Sequence, residues 1–290
     1  MKTLELGWRS KDGLDFFGRA WHPDQAAKGV ICLVHGLGEH VGRYEHAGAE
    51  FAEAGYALLG FDQRGHGRSD GPRGHTPSYD ALMDDIGELL DQAEKHYPGV
   101  PCFLYGHSMG GNEVINYGMR RNPPLLGVIA TGPWLRLSFR PSAWQVALGR
   151  LMNKVAPAFT QASKLDATAI SRDSRVVEAY TNDPLVHDRI SARLFVEMYD
   201  SGEWALANAA RLSIPLLLMH GGADRITSAS ASREFAQKSG GNTALHIQDG
   251  LYHEIHNEPE KSGVFKIMIA WLEETSGGKP GVKTSASPET

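Results

Sequence analysis

The chain has 290 residues, enough for one large domain or two modest ones, and its 41% hydrophobic and 22% charged residues suit a globular protein with a sizeable core. A formal net charge of −5 without a basic patch argues against nucleic acid as a partner, and two cysteines argue against a disulfide framework. The first residues are too short an apolar run for a signal peptide, and no stretch approaches the ~18 apolar residues of a membrane span, so a cytoplasmic protein is expected.

Taken in order, Thr3–Arg9 and Leu14–Trp21 alternate apolar and polar residues around Lys11-Asp12-Gly13, which predicts an antiparallel hairpin. Gly29–Val34 is a continuous apolar run, as expected of a strand covered on both faces, and it ends in His35-Gly36-Leu37-Gly38. A helix over about Arg43–Ala54 leads to a strand at Tyr56–Phe61, then to a glycine-dense loop from Asp62 to Gly71. Tyr79–Tyr97 carries Leu82, Ile86, Leu89, Leu90 and Ala93 on one helical face. Val100–Tyr105 reads as a buried strand, Gly106-His107-Ser108-Met109-Gly110-Gly111 as a turn and Asn112–Arg120 as a helix. Another buried strand follows at Leu125–Ala130.

The next clean apolar run is Ile214–Met219. A gap of roughly eighty residues is far longer than ordinary connections in such folds, so an inserted cap is expected. Its first helix, about Pro141–Val155, places Trp144, Leu148, Leu151, Met152 and Val155 on one face, suited to roofing the main domain or meeting lipid. The alternation then resumes with a helix at Ala229–Lys238, a strand at Thr243–Ile247 and a helix at Pro259–Glu274. The expected division is a core of 1–133 plus 204–275, a cap of 134–203, and a disordered tail of 276–290, where apolar residues are too few to offset the entropy of ordering. Strands alternating with helices predict an α/β fold with an open, mostly parallel sheet and helices on both faces.

Strand, then Gly-x-Ser-x-Gly, then helix is the context of a nucleophile elbow, and it selects Ser108. A serine at neutral pH needs a base, and the base needs a third group to orient it. In this architecture the acid and the histidine follow in that order, in loops past the carboxyl ends of later strands. Asp224 follows the strand at 214–219 and His253 the strand at 243–247. His256 is the main competitor for the base; Asp249 competes for the acid but follows the wrong strand. The oxyanion needs preorganised donors, for which the amides of Leu37 and Met109 stand at the expected loop and helix start.

The chain resembles the α/β-hydrolase superfamily, and within it the monoacylglycerol lipases and their lysophospholipase-like relatives. The carrying residues are His35–His40 with Gly42-Arg43-Tyr44, then Asp62–Ser69, Gly106–Gly111, Asn182-Asp183-Pro184-Leu185, His220–Arg225 and Tyr252-His253. The resemblance implies a mostly parallel eight-stranded sheet with a helical cap, and cleavage of a monoacylglycerol to fatty acid and glycerol through an acyl-enzyme. It further implies that Glu39, Arg43, His256 and Tyr180 bind the glycerol head group, with neither metal nor cofactor. From spacing alone, Glu39 and Arg43 are equally an ordinary i, i+4 ion pair. Asn112 departs from the family, standing where relatives carry a small apolar residue. A general carboxylesterase or lysophospholipase is the alternative within enzymes, and an inactive hydrophobic-ligand-binding protein the alternative outside them. Transient contact of the cap with a membrane or micelle surface is left open, as is the oligomeric state.

Overall fold

The expected N-terminal hairpin is present in the computed structural model, which describes residues 1–139 and 141–277. β1 (Lys2–Arg9) and β2 (Asp15–His22) pair antiparallel, with Lys2 opposite His22 and Arg9 opposite Asp15. The connecting turn uses Gly13 at φ 92°, a left-handed conformation that glycine adopts without a steric cost.

β3 (Val30–Val34), α1 (Glu45–Glu53) and β4 (Ala57–Phe61) follow, then α2 (Tyr79–His96), whose Ser78 hydroxyl accepts the Ala81 N–H as an N-cap. β5 (Cys102–His107) runs into α3 (Met109–Arg121), and β6 (Gly127–Thr131) closes this half. Between β6 and the next sheet strand lie α4 (Ala143–Val155), β7 (Thr160–Ala162), α5 (Ser174–Asn182), β8 (Arg189–Ser191) and α6 (Ala192–Ala207). β9 (Leu216–Gly221), α7 (Ala229–Lys238), β10 (Thr243–Gln248) and α8 (Lys261–Ser276) complete the chain described. Ser276, placed in the expected tail, is the last residue of α8, and 278–290 fall outside the described residues.

One eight-stranded sheet has the order β1-β2-β4-β3-β5-β6-β9-β10. Within it β2 pairs antiparallel with both β1 and β4, while β4, β3, β5, β6, β9 and β10 are mutually parallel. Alternation along each strand splits the core in two. Val30, Cys32 and Val34 of β3 join Ile86 of α2, Val114 of α3 and Phe235 of α7 on one face. Ile31 and Leu33 join Phe51 of α1 and Phe265 and Met268 of α8 on the other. The parallel strands all present their carboxyl ends along one rim, and the loops that matter chemically leave from there.

The expected division at 203/204 falls inside α6, which runs through it unbroken. The reason is a polar tie to the core. The Asn116 carboxamide donates to the Ser201 carbonyl at 3.3 Å, and the Ser201 hydroxyl donates to Asn112 Oδ1 at 2.9 Å. Trp134 and Leu135, assigned from sequence to the cap, are likewise buried in the main core.

Candidate active site

Two close approaches shape the turn after β5. A Cβ on Gly106 would lie 2.2 Å from the Gly110 carbonyl oxygen, and one on Gly110 would lie 2.1 Å from that of Val34. No other residue fits either position. Ser108 between them sits at φ 55°, ψ −111°, a strained conformation costing on the order of 1–3 kcal/mol that persists because its surroundings impose it. Its N–H donates to Thr131 in β6 (2.9 Å), and its carbonyl accepts from Trp134 and Asn112.

The carboxyl ends of β5, β9 and β10 bring together three side chains from far apart in the chain. His253 Nε2 lies 2.9 Å from Ser108 Oγ, and His253 Nδ1 lies 2.7 Å from Asp224 Oδ2. These partners assign the proton to Nδ1 and leave Nε2 to accept from the serine. Asp224 Oδ1 accepts from the Ile226 and Thr227 amides, while the Thr227 hydroxyl and His220 Nε2 lie 2.8 and 3.1 Å from Oδ2. Burial by itself pushes the Asp224 carboxyl up, but His253 and His220 hold it well below the usual carboxylate range. Burial likewise pushes His253 down, yet Asp224, followed by Glu254 and Glu39, raises it above the ordinary histidine value. The result is an imidazole whose protonated form is favoured by adjacent negative charge.

Among the described residues, neither the Leu37 N–H nor the Met109 N–H has a hydrogen-bond partner. The Met109 amide opens α3 and so has no intrahelical acceptor. The loop bearing Leu37 is pressed onto the elbow: a Cβ on Gly36 would sit 3.2 Å from Ser108 Cβ. Glu39 holds this loop, its Oε1 accepting from the Gly36 amide (2.6 Å) and the Tyr44 hydroxyl (2.9 Å). Arg43 NH1 donates to Glu39 Oε2 (2.6 Å) and to Glu254 Oε1 (2.8 Å), and its NH2 donates to Glu254 Oε2 (2.7 Å).

The structure separates the four residues expected at the head group. Glu39 and Tyr180 line the cavity above Ser108, whereas Arg43 and His256 are not among its lining residues. Arg43 is 9% exposed and has the Tyr180 ring 4.8 Å from its Cζ. His256 is fully buried, stacked on Tyr44 at 5.0 Å, with His107 edge-on at 4.7 Å and both ring nitrogens unpartnered. Burial, followed by repulsion from His107 and His46, pushes His256 far below the usual histidine range and keeps it neutral. The competing acid considered from sequence lies elsewhere. Asp249 is exposed, far from the buried carboxylate that a triad acid requires.

The cavity holds about 750 Å³. Its wall combines Trp134, Leu137, Trp144, Leu148, Met152 and Phe195 with Ser108, His253, Glu39, Glu254 and Tyr180. That mixture suits an apolar chain ending in a polar reactive group. α5 and its following turn are fixed over the Leu37 loop. His40 Nε2 lies 2.8 Å from Asp183 Oδ2, and the His187 amide donates to the Gly38 carbonyl at 2.9 Å. Two sequence motifs 143 positions apart thus meet at one place.

Glu254, Thr227, His220 and His107 were missed from sequence. Glu254 and His220 each lie within a few residues of a selected side chain, but nothing in their spacing distinguishes them from solvated loop residues. His107 Nδ1 lies 3.1 Å from the Thr131 carbonyl, its ring 4.8 Å from that of His253, and burial pushes it down to about 3.

Residues 25–260 match the family described as serine aminopeptidase, S33. A monoacylglycerol lipase of Mycolicibacterium smegmatis is 36% identical over 254 residues, covering 87% of this chain and 90% of that protein. An abhydrolase domain-containing protein of Dictyostelium discoideum is 37% identical over 88% of this chain, which spans only 27% of that longer protein. The crystal structure of a Paleococcus ferrophilus monoacylglycerol lipase superposes with a TM-score of 0.80 at 33% identity, covering 95% of this chain and all of the other.

Proposed function

Because the chain belongs to the serine aminopeptidase S33 family of α/β-hydrolases, we infer that it hydrolyses carboxylic esters, with a monoacylglycerol as substrate. The observation that carries this reading is the contact at 2.9 Å between His253 Nε2 and Ser108 Oγ, at the foot of a largely apolar cavity. His253 takes the serine proton as Oγ attacks the ester carbonyl. Asp224 keeps the imidazole in the required tautomer and stabilises the imidazolium. The free amides of Leu37 and Met109 receive the oxyanion. Glycerol departs with a proton from His253, and water, activated by the same histidine, releases the fatty acid from the acyl-serine.

An amine-binding reading asks for carboxylates free to hold an ammonium. Glu39 and Glu254, both on the cavity wall, are instead engaged by Arg43, which favours the ester. We assign the segment between β6 and β9 the role of a cap. Leu151 and Val155 of α4 are each more than half exposed and lie off the cavity wall, and this face is the one we place against a lipid or micelle surface. No helix among the described residues is long and apolar enough to cross a membrane. The test is a set of initial rates on monoacylglycerols of graded chain length, on diacylglycerols and on p-nitrophenyl esters, with Ser108→Ala as control. A marked preference for monoacylglycerols supports the reading. Equal rates on any short ester reduce it to general esterase activity, and turnover unchanged in Ser108→Ala removes it.

A further inference from the structure

The residue after the base is an acid that no part of the hydrolytic scheme uses. Glu254 is 3% exposed, a costly place for a carboxylate unless it is paired. It takes both terminal nitrogens of Arg43 and, at Oε2, the Asn257 carboxamide at 2.8 Å. The same Arg43 NH1 reaches Glu39, and the other oxygen of Glu39 holds the Gly36 amide. Gly36 directly precedes Leu37 and lies against Ser108. A continuous chain of short, charge-assisted bonds therefore joins the loop carrying His253 to the loop carrying the Leu37 amide. A bidentate guanidinium–carboxylate pair fixes orientation as well as distance, which a lysine or a single hydrogen bond does not.

We propose that Glu254 is a positioning residue, which through Arg43 and Glu39 holds the oxyanion-loop amide at a set distance from the His253–Ser108 pair. The inference rests on the hydrolase reading above and deepens it. It also gives Arg43 an internal task in place of direct head-group contact, in keeping with its absence from the cavity wall. Buried ion networks of this kind are weak evidence for net stability, which leaves fixing one geometry as the role assigned to this one.

The test is Glu254→Gln, which keeps the shape and one acceptor and removes the charge. Turnover is measured on a monoacylglycerol and on the p-nitrophenyl ester of the same acyl chain, together with the rate of covalent labelling by a fluorophosphonate. Braced loops predict that kcat falls about 10- to 100-fold on both esters, with KM little changed and labelling slowed to match. Glu254→Asp is expected to recover part of the loss. The charged groups facing His253 are Asp224, Glu254 and Glu39, beside the neutral His107 ring, so losing Glu254 also moves the acid limb of kcat/KM to lower pH. Should the single change unfold the protein, Glu254→Gln with Arg43→Gln removes both charges at once and is expected to show the same kinetic loss.

A rise in KM confined to the monoacylglycerol, with the p-nitrophenyl ester unaffected, makes Glu254 a head-group ligand and overturns the proposal. Unchanged kinetics and labelling overturn it equally. Failure of the substrate reading is separately visible in the wild type, as rapid labelling and p-nitrophenyl ester turnover without monoacylglycerol turnover.

Discussion

The floor and the roof of the cavity are built by opposite rules. On the floor, the side chains of Asp224, Glu39, Arg43 and Glu254 are almost wholly buried, and each is held by two or more hydrogen bonds or ion pairs. In the roof, α4 has no buried residue at all, and its Trp144, Leu151 and Val155 are exposed by 67%, 56% and 73%. Chemistry needs atoms held within tenths of an ångström, so the floor sacrifices solvation for fixed geometry. Accommodating a flexible acyl chain needs only greasy, deformable surface, which the roof supplies.

The sharpest way to break this contrast is to damage the floor without altering its shape. Asp224→Asn leaves the packing intact but deprives His253 of its charge partner and tautomer control. We expect kcat to fall about 10⁴-fold with an unchanged circular dichroism spectrum. Near-normal turnover would show that another acid serves.

Acid should expose the floor in two stages. His253 is raised, and only its neutral form accepts the serine proton, so kcat/KM drops as pH falls through a value above the ordinary histidine range. The fold follows at lower pH. His35 and His107 are pushed down to about 3 and His187 to about 4, in each case chiefly by burial. Their folded values lie below the unfolded value of about 6.5, so the unfolded chain binds protons first. Stability is therefore complete above that range and declines as pH falls toward about 3. Denaturant midpoints across pH, set beside the rate profile, test the order of the two losses.

Where roof meets floor, Asn112→Ala should cost stability. Its carboxamide accepts from the Tyr79 hydroxyl at 2.8 Å and donates to the Trp134 carbonyl at 2.7 Å, and alanine leaves both partners buried without it. A loss of about 1–3 kcal/mol by denaturation is expected. The smallest effect belongs to the roof's outer face. Leu151→Ser with Val155→Ser should change stability by no more than about 0.5 kcal/mol. It should weaken binding to anionic or zwitterionic vesicles in a co-sedimentation assay, while hydrolysis of a soluble short-chain ester continues. Equal vesicle binding would remove the lipid-facing role of α4.

The floor was legible in the sequence because its elements are punctuated by glycine and by runs of apolar residues. The elbow glycines, the buried strands and the order serine, acid, histidine along the chain sufficed to select the residues that the structure brings together. The strand ends were less legible. Val100-Pro101 and Ile214-Pro215 are apolar and read as strand, yet β5 and β9 start only after each proline and run on to His107 and Gly221. Proline cannot donate to the ladder, and the added residues are paired through backbone atoms, which carry no apolar signature. In the roof, β7 and β8 are three residues each and largely polar, so no periodicity marked them. The expected helix at α4 was found, but its apolar stripe neither wholly packs nor wholly projects: Trp144, Leu148 and Met152 line the cavity while Leu151 and Val155 face outward. Glu254 was illegible for another reason. Its meaning depends on Arg43, 211 positions away, and only the fold makes them neighbours.

The polar ties in the second half of the inserted segment have a mechanical outcome. α6 is anchored through Ser201, and the turn after α5 through Asp183 and His187, so neither can lift without stranding buried donors and acceptors. α4, by contrast, has no buried residue and is held to α6 by the exposed Arg150–Asp200 pair and by Arg193 Nε donating to Asn153 Oδ1. Were the cavity to widen for a bulky guest, α4 is the element that would strand the fewest buried polar groups.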